Sequence, residues 1–339
     1  MLMGVARAAH TATRLPDGRV LVSGGFDDRE GSQASAELFD PSTGVFSPTG
    51  SMSLARVSHT ATLLRDGRVL IVGGYGPDGE RLGSAEIYDP ATGSFSATGA
   101  MPGVRADHTA TLLPDGRVLI VGGTGAGYAF LATALLYEPD TGTFAATGSM
   151  SVRRESATAT LLRDGRVLIA GGHAGRDPEI RVYASAEVYD PVGGRFTAVS
   201  DMAMPRHKHD AVRLRDGRVL IVGGADERDD EGLYRSVEVF DPRTETFHAA
   251  GRLHDGRYKM RGTSVRLADG RLMVCCGASR AELFDPSSGS FRLIAGSFGA
   301  GGAGPLFAAA VRIGPKDLLV TGGYSLIGPA TDASWIIRL

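Results

Sequence analysis

A nine-residue phrase recurs seven times along this chain: a polar turn, an aliphatic run, then Gly-Gly. It reads Asp17–Gly25, Asp66–Gly74, Asp115–Gly123, Asp164–Gly172 and Asp216–Gly224, with altered copies at Asp269–Gly277 and Pro315–Gly323. The first four copies are spaced by 49 residues, and later spacings stay between 46 and 53. Such a period marks a repeat architecture, in which each unit buries its apolar surface only against its neighbours.

The second repeat resolves into four strands. His59–Leu64 is the first, and the Asp66-Gly67 turn after it supplies the positive φ angles a tight hairpin needs. Arg68–Val72 is the second; its apolar run is continuous rather than alternating, so both of its faces are buried. Ser84–Tyr88 is the third, Asp89-Pro90-Ala91-Thr92-Gly93 a turn, and Ser94–Thr98 the fourth. A four-stranded sheet apolar on both faces must stack between copies of itself, and radial stacking of such sheets is a β-propeller. The rival, an open solenoid, uses shorter repeats of roughly 20–45 residues.

Six aromatic pairs follow the Gly-Gly runs with constant spacing: Phe39/Phe46, Tyr88/Phe95, Tyr137/Phe144, Tyr189/Phe196, Phe240/Phe247 and Phe284/Phe291. This pattern resembles the kelch repeat, a hydrophobic run ending in Gly-Gly, then a Tyr, then a Trp with six residues between. Phe stands in the Trp position throughout, where its ring can pack one blade on the next; the single Trp, Trp335, lies elsewhere. The resemblance covers the whole chain. It implies an all-β, seven-bladed kelch-like propeller with four antiparallel strands per blade, and says little about function, which sits on loops grafted to the scaffold.

The 339 residues form one expected domain with blades at about 7–50, 56–99, 105–148, 154–200, 206–250, 259–295 and 305–339. The chain begins just before a first strand and ends after a third, so a three-stranded seventh blade is expected. It would be held to blade one by face packing, without strand exchange. A net charge of −2 and no basic run argue against nucleic acid. No apolar stretch reaches the roughly 18 residues of a membrane span. Met1 leads at once into repeat sequence, with no signal peptide, so a cytoplasmic monomer is expected; a mature secreted form would read the same. Cys275 and Cys276 are adjacent in a strand, where side chains alternate, and read as small buried residues.

In kelch-like propellers the loops between strands two and three share one face with those leading into the next blade. Here those loops vary, while the turns of the opposite face are short, near-identical and read as scaffold. Arg-x-x-His precedes several first strands, at Arg7/His10, Arg56/His59, Arg105/His108 and Arg206/His209. Recurring with the repeat, it reads as a bond between neighbouring blades rather than a metal ring. Symmetry breaks in blades four to six: Arg153-Arg154-Glu155, His173, Arg206-His207-Lys208-His209 and the run His254–Arg261. In blade six Lys259 reads as the repeat Arg and Gly262 as the repeat His. Only three lysines occur beside 33 arginines, and Lys208 and Lys259 both lie on these loops. Neighbouring Arg257, Arg261 and Arg154 would lower the Lys259 pKa. The acidic run Asp226–Glu231 reads as a solvated rim. The Gly-rich segment 296–304 has no Lys-Ser/Thr after it and is no phosphate loop.

Three function classes follow. The reading taken is a small, anionic ligand in the funnel of the loop-rich face, with metal-independent acid–base chemistry of isomerase, lyase or cyclase type. Some kelch-like propellers do such chemistry, including a sugar mutarotase. Lys259, His207 and Tyr258 are the expected catalytic groups. Arg154, Glu155, His173, Arg206, Arg257 and Arg261 are the expected ligand-binding ones, with no cofactor and no metal. The alternative is a protein-interaction platform on the same face, the commonest use of kelch domains. A resemblance to kelch copper oxidases would need a Tyr–Cys pair with two His ligands, and Cys275 and Cys276 are placed in a strand interior.

Overall fold

The computed structural model describes residues 1–298, 304–325 and 328–339. Six four-stranded antiparallel sheets and one three-stranded sheet follow in chain order, each with its strands in sequential order. In blade two the strands are Thr60–Leu63, Val69–Val72, Ala85–Asp89 and Ser94–Ala97. The second strand is buried along its whole length, as its unbroken apolar run requires. Tyr88 lies opposite Phe95, their ring centroids 4.8 Å apart, and the other five aromatic pairs stack alike.

The seven first strands pack side by side around one axis, and Ala309–Arg312 of blade seven meets Thr11–Arg14 of blade one. The ring is therefore closed. Its cores lie between blades: Leu70 and Val72 pack on Val118, Ile120 and Tyr137 of the next sheet. Burying each such side chain contributes about 1.5–3 kcal/mol.

Six buried arginines, Arg7, Arg56, Arg105, Arg154, Arg206 and Arg257, clamp their own blades. Arg56 donates to the carbonyls of Gly73 (3.0 Å) and Ser84 (3.1 Å) and pairs with Glu86 at 2.9 Å. The other oxygen of Glu86 accepts the Ser53 N–H at 2.9 Å. Blade three departs from this plan: Leu135 stands in the glutamate column and Pro102, which has no N–H, in the donor column. In blade seven both arginine and glutamate are replaced, by Pro305 and Trp335. The repeat histidines do what was expected of the pair and cross to the preceding blade, His59 to Thr11 (3.2 Å) and His209 to Thr158 (3.0 Å). The arginines instead stay within one sheet.

Among the described residues blade seven has three strands, and no terminal strand is exchanged. The seam with blade one is more than face packing, however. Met3 N–H donates to the Asp332 carbonyl and Ser334 N–H to Met1, both at 2.8 Å. Met3 thus takes the place of Met52, which donates to the Ala34 carbonyl at 2.9 Å. Gly323 N–H to Arg7 (2.7 Å) and Ala9 N–H to Phe307 (2.9 Å) complete the seam.

Blade six corrects the sequence alignment. Arg257, not Lys259, is the clamp: it pairs with Glu282 at 2.8 Å and donates to the Cys276 carbonyl at 3.1 Å. Met260, not Gly262, fills the histidine column, packing on Gly223 where histidine rings pack on Gly24 and Gly171. Arg261-Gly262 is a two-residue insertion, after which Thr263 resumes the first strand opposite Cys275. The cysteines lie just past the strand Leu272–Val274; both are buried thiols, and Cys276 takes the first Gly-Gly position with φ +67°. Residues 299–303 of the Gly-rich segment lie outside the described residues.

A candidate anion-binding funnel on the axis

Each blade delivers one residue to the mouth of the axis, two positions after its clamp column: Ala9, Ser58, Asp107, Ser156, Lys208, Lys259 and Phe307. All seven have left-handed backbones, with φ between +50° and +53°. Such a conformation costs a non-glycine residue about 1 kcal/mol or more. Backbone hydrogen bonds link them around the ring, Ser58 N–H to Ala9, Lys208 N–H to Ser156 and Phe307 N–H to Lys259. The scaffold thus aims seven side chains at one cavity of 390 Å³, whose deeper wall carries His10, His59, His108 and His209. Burial holds His10 and His59 down to about 3, so these rings are neutral.

Charge enters where the ring loses its symmetry. Lys208 is held by Asp229, at 2.7 and 2.8 Å to its two oxygens, so the acidic run is more than a solvated rim. Lys259 donates to the Tyr324 hydroxyl at 3.0 Å and sits among the rings of Tyr258, Phe307 and Tyr324, 4.8 to 5.6 Å from their centroids. Burial works against the Lys259 ammonium. The hydrogen bond to Tyr324 and the charges of Tyr324, Tyr258 and Asp229 outweigh it, and the pKa rises rather than falls as expected. At neutral pH Lys259 is a cation, not a base. Arg261, on the blade-six insertion, reaches across the axis to the carbonyls of His108 (3.0 Å) and Asp107 (3.4 Å). Asp210 anchors the insertion by accepting the N–H groups of Gly262 (3.0 Å) and Ser264 (2.6 Å). Among the described residues neither Lys259 nor Arg261 has a carboxylate within ion-pair distance.

Of the nine residues singled out from sequence, only Lys259 and Arg261 line the cavity. Arg154, Arg206 and Arg257 are buried clamps paired with Glu187 (3.3 Å), Glu238 (2.6 Å) and Glu282 (2.8 Å), and have no face left for a ligand. Tyr258 is buried beside Ala225 and Leu306, and burial raises its pKa. Glu155, His173 and His207 form a buried chain: Glu155 Oε1 to His173 Nε2 at 3.0 Å, then His173 Nδ1 to His207 Nδ1 at 3.0 Å. Burial, with the charges of His173 and Lys208, lowers His207 to about 3. Burial would raise Glu155, but His173 and Arg176 prevail and hold it at about 2.

Asp107 is the residue that sequence reasoning missed. Burial and the neighbouring Glu155 charge raise its pKa, and Tyr75 donates to it at 2.8 Å. Two neighbouring carboxyls pushed apart in this way are a common acid–base arrangement. The available signal was the column just before the repeat His. Among the described residues, no group of three or more His, Cys, Asp and Glu side chains is placed to hold a metal ion.

Kelch motifs match residues 7–53 and 56–102. The chain is a kelch-repeat protein. Its fold is similar to the solved structure of YjhT, with a TM-score of 0.64 at 14% identity, covering 100% of this chain and 96% of that one. At that identity the likeness speaks for the propeller alone. No curated protein matches the chain. No helix among the described residues is long and apolar enough to cross a membrane.

Proposed function

We propose that this kelch propeller binds a small anionic molecule in its axial funnel and exchanges a proton with it without a metal, in isomerase, lyase or cyclase fashion. One observation carries the reading: two cations without carboxylate partners among the described residues, Lys259 and Arg261, converge on a 390 Å³ cavity. That volume suits a small ligand. Lys259 and Arg261 hold the anion, Lys208 adds a third and partly neutralised charge, and Asp107 with its raised pKa is the proton-transfer group. His207 and His173 support Lys208 through Asp229, which lies 3.6 Å from His207. Apart from Met1, Leu2 and Val45 near the N-terminus, the large exposed apolar side chains, Leu54, Tyr128, Val192 and Met204, are spread over different blades, which favours a ligand over a protein platform.

Calorimetric titration with uronic acids and short dicarboxylates tests the binding. At least one should bind, and Lys259→Met or Arg261→Met should each weaken it by about tenfold or more. The retained ligand incubated with protein in D₂O should gain deuterium, and Asp107→Asn should abolish the gain while leaving affinity near wild type. Affinity unchanged in both cation variants would refute the reading.

A further inference from the structure

The face opposite the funnel, whose short turns read as scaffold, carries a second cavity of 310 Å³. Arg163, Arg213, Arg215, Arg266 and Arg312 line it, contributed by blades four to seven. Arg213, Arg266 and Arg312 end their first strands, where blades two, three and four have Leu63, Leu112 and Leu161. The cluster is therefore not a property of the repeat.

None of the five arginines has a carboxylate within ion-pair distance among the described residues. The nearby aspartates are engaged elsewhere: Asp164 with Arg166 (2.8 Å), Asp216 with Arg218 (2.7 Å) and Asp269 with Arg271 (2.7 Å). The cluster is braced from blade to blade instead. Arg213 donates to the Leu161 carbonyl at 2.9 Å, Arg266 to the Arg213 carbonyl at 3.2 Å, and Arg215 to the Ala268 carbonyl. Backbone carbonyls fix these guanidinium groups in place without cancelling their charge.

We propose that this arginine basin is a second binding site, for a compact oxyanion of the di- or triphosphate class. Five cations around one open basin of this size call for an anion of several charges. The planar guanidinium fork matches phosphate oxygens two at a time. The Asp–Arg turns at the rim are self-neutralised, and blades two to four end their first strands in Leu, so the uncompensated arginines gather in one sector with Arg14 of blade one beside them, which fits a compact ligand better than a long polyanion. Arg266 carries the same signature: burial, then the charges of Arg213, Arg215, Arg312 and Arg163, lower its pKa. The site is independent of the axial funnel.

Calorimetric titration of the full chain with inorganic pyrophosphate in low-salt buffer is the test. One pyrophosphate should bind per chain, and more weakly as salt rises. Arg266→Gln and Arg312→Gln should each weaken binding by about tenfold or more. Lys259→Met, on the other face, should leave it unchanged. Because the arginines repel one another, Arg266→Gln should melt no lower than wild type, which separates a lost ligand contact from a lost fold. Absence of binding, wild-type affinity in both arginine variants, tighter binding of citrate, or tighter binding of a DNA duplex would each overturn the proposal.

Discussion

Blade three holds a clamp without its counter-charge, and restoring the missing partner measures what the clamp is worth. Arg105 donates to the carbonyls of Gly122 (2.8 Å) and Thr133 (3.0 Å) like its equivalents, but burial without a carboxylate lowers its pKa to about 10 from 12.5. At about 1.4 kcal/mol per decade that drop is a penalty of about 3 kcal/mol. The penalty is complete at neutral pH, where the arginine is charged folded and unfolded, and it fades only as pH rises through 10 toward 12.5. Leu135→Glu supplies the carboxylate but gives up about 2 kcal/mol of apolar burial. It also leaves one oxygen facing Pro102, which cannot donate. Pro102→Ser supplies the donor that Ser53 gives Glu86 at 2.9 Å, and alone should cost about 0.5 kcal/mol. Each single variant should therefore be at or below wild type. The pair together should exceed the sum of the singles by about 2 kcal/mol, the worth of a hydrogen bond to a charged group. Urea unfolding of the four proteins reads this coupling. A value under about 0.5 kcal/mol, the ordinary error of additivity, would refute the argument.

Two further predictions concern the axis. His10, His59 and His207, held near 3, and His108 and His209, well below the usual value, stay neutral in the fold while the unfolded chain takes up protons below 6.5. Their stabilisation is present above 6.5 and is lost as pH falls from 6.5 toward 3, at about 2 kcal/mol per histidine by pH ~5; His10→Gln should recover about that much in urea melts at that pH, and a flat pH profile would contradict it. Ala9, with φ +50°, should accept glycine within about 0.5 kcal/mol of wild type, because relief of backbone strain offsets the usual Ala-to-Gly loss. Ala12→Gly in the adjacent strand should cost about 1 kcal/mol, and equal losses at the two positions would remove the strain argument.

The fold was legible because the repeat writes each blade's pattern seven times over, and every strand of the second repeat falls within a residue or two of its expected place. Blade six was misread for a physical reason. Arg257, Lys259 and Arg261 alternate along one loop, and only the Glu282 carboxylate and the Cys276 carbonyl decide which of them is buried. Residue type alone does not make that choice. The same ambiguity sent Arg154 and Arg206 to the candidate site, where an arginine beside an irregular loop looks like a ligand group until its glutamate is found 30 or so residues away.

The column, rather than the irregular loop, is the unit in which this chain specifies its surfaces. Positions that repeat, such as the clamp arginine, its glutamate and the N–H donor to that glutamate, build the ring; blade three keeps Arg105 but has lost glutamate and donor together, to Leu135 and Pro102, and blade seven has lost arginine and glutamate together, to Pro305 and Trp335. Positions that share a backbone but differ in side chain carry whatever distinguishes this propeller. At the funnel mouth that column reads Ala, Ser, Asp, Ser, Lys, Lys, Phe; at the ends of the first strands it reads Arg, Leu, Leu, Leu, Arg, Arg, Arg. Both place charge in a sector and not around the full circle. A strained left-handed backbone kept at all seven mouth positions, in a chain with 48 glycines, leaves none of the seven as glycine. Each of these positions retains a side chain despite the strain, and the charged ones, Asp107, Lys208 and Lys259, stand in blades three, five and six, around the point where Arg261 crosses the axis.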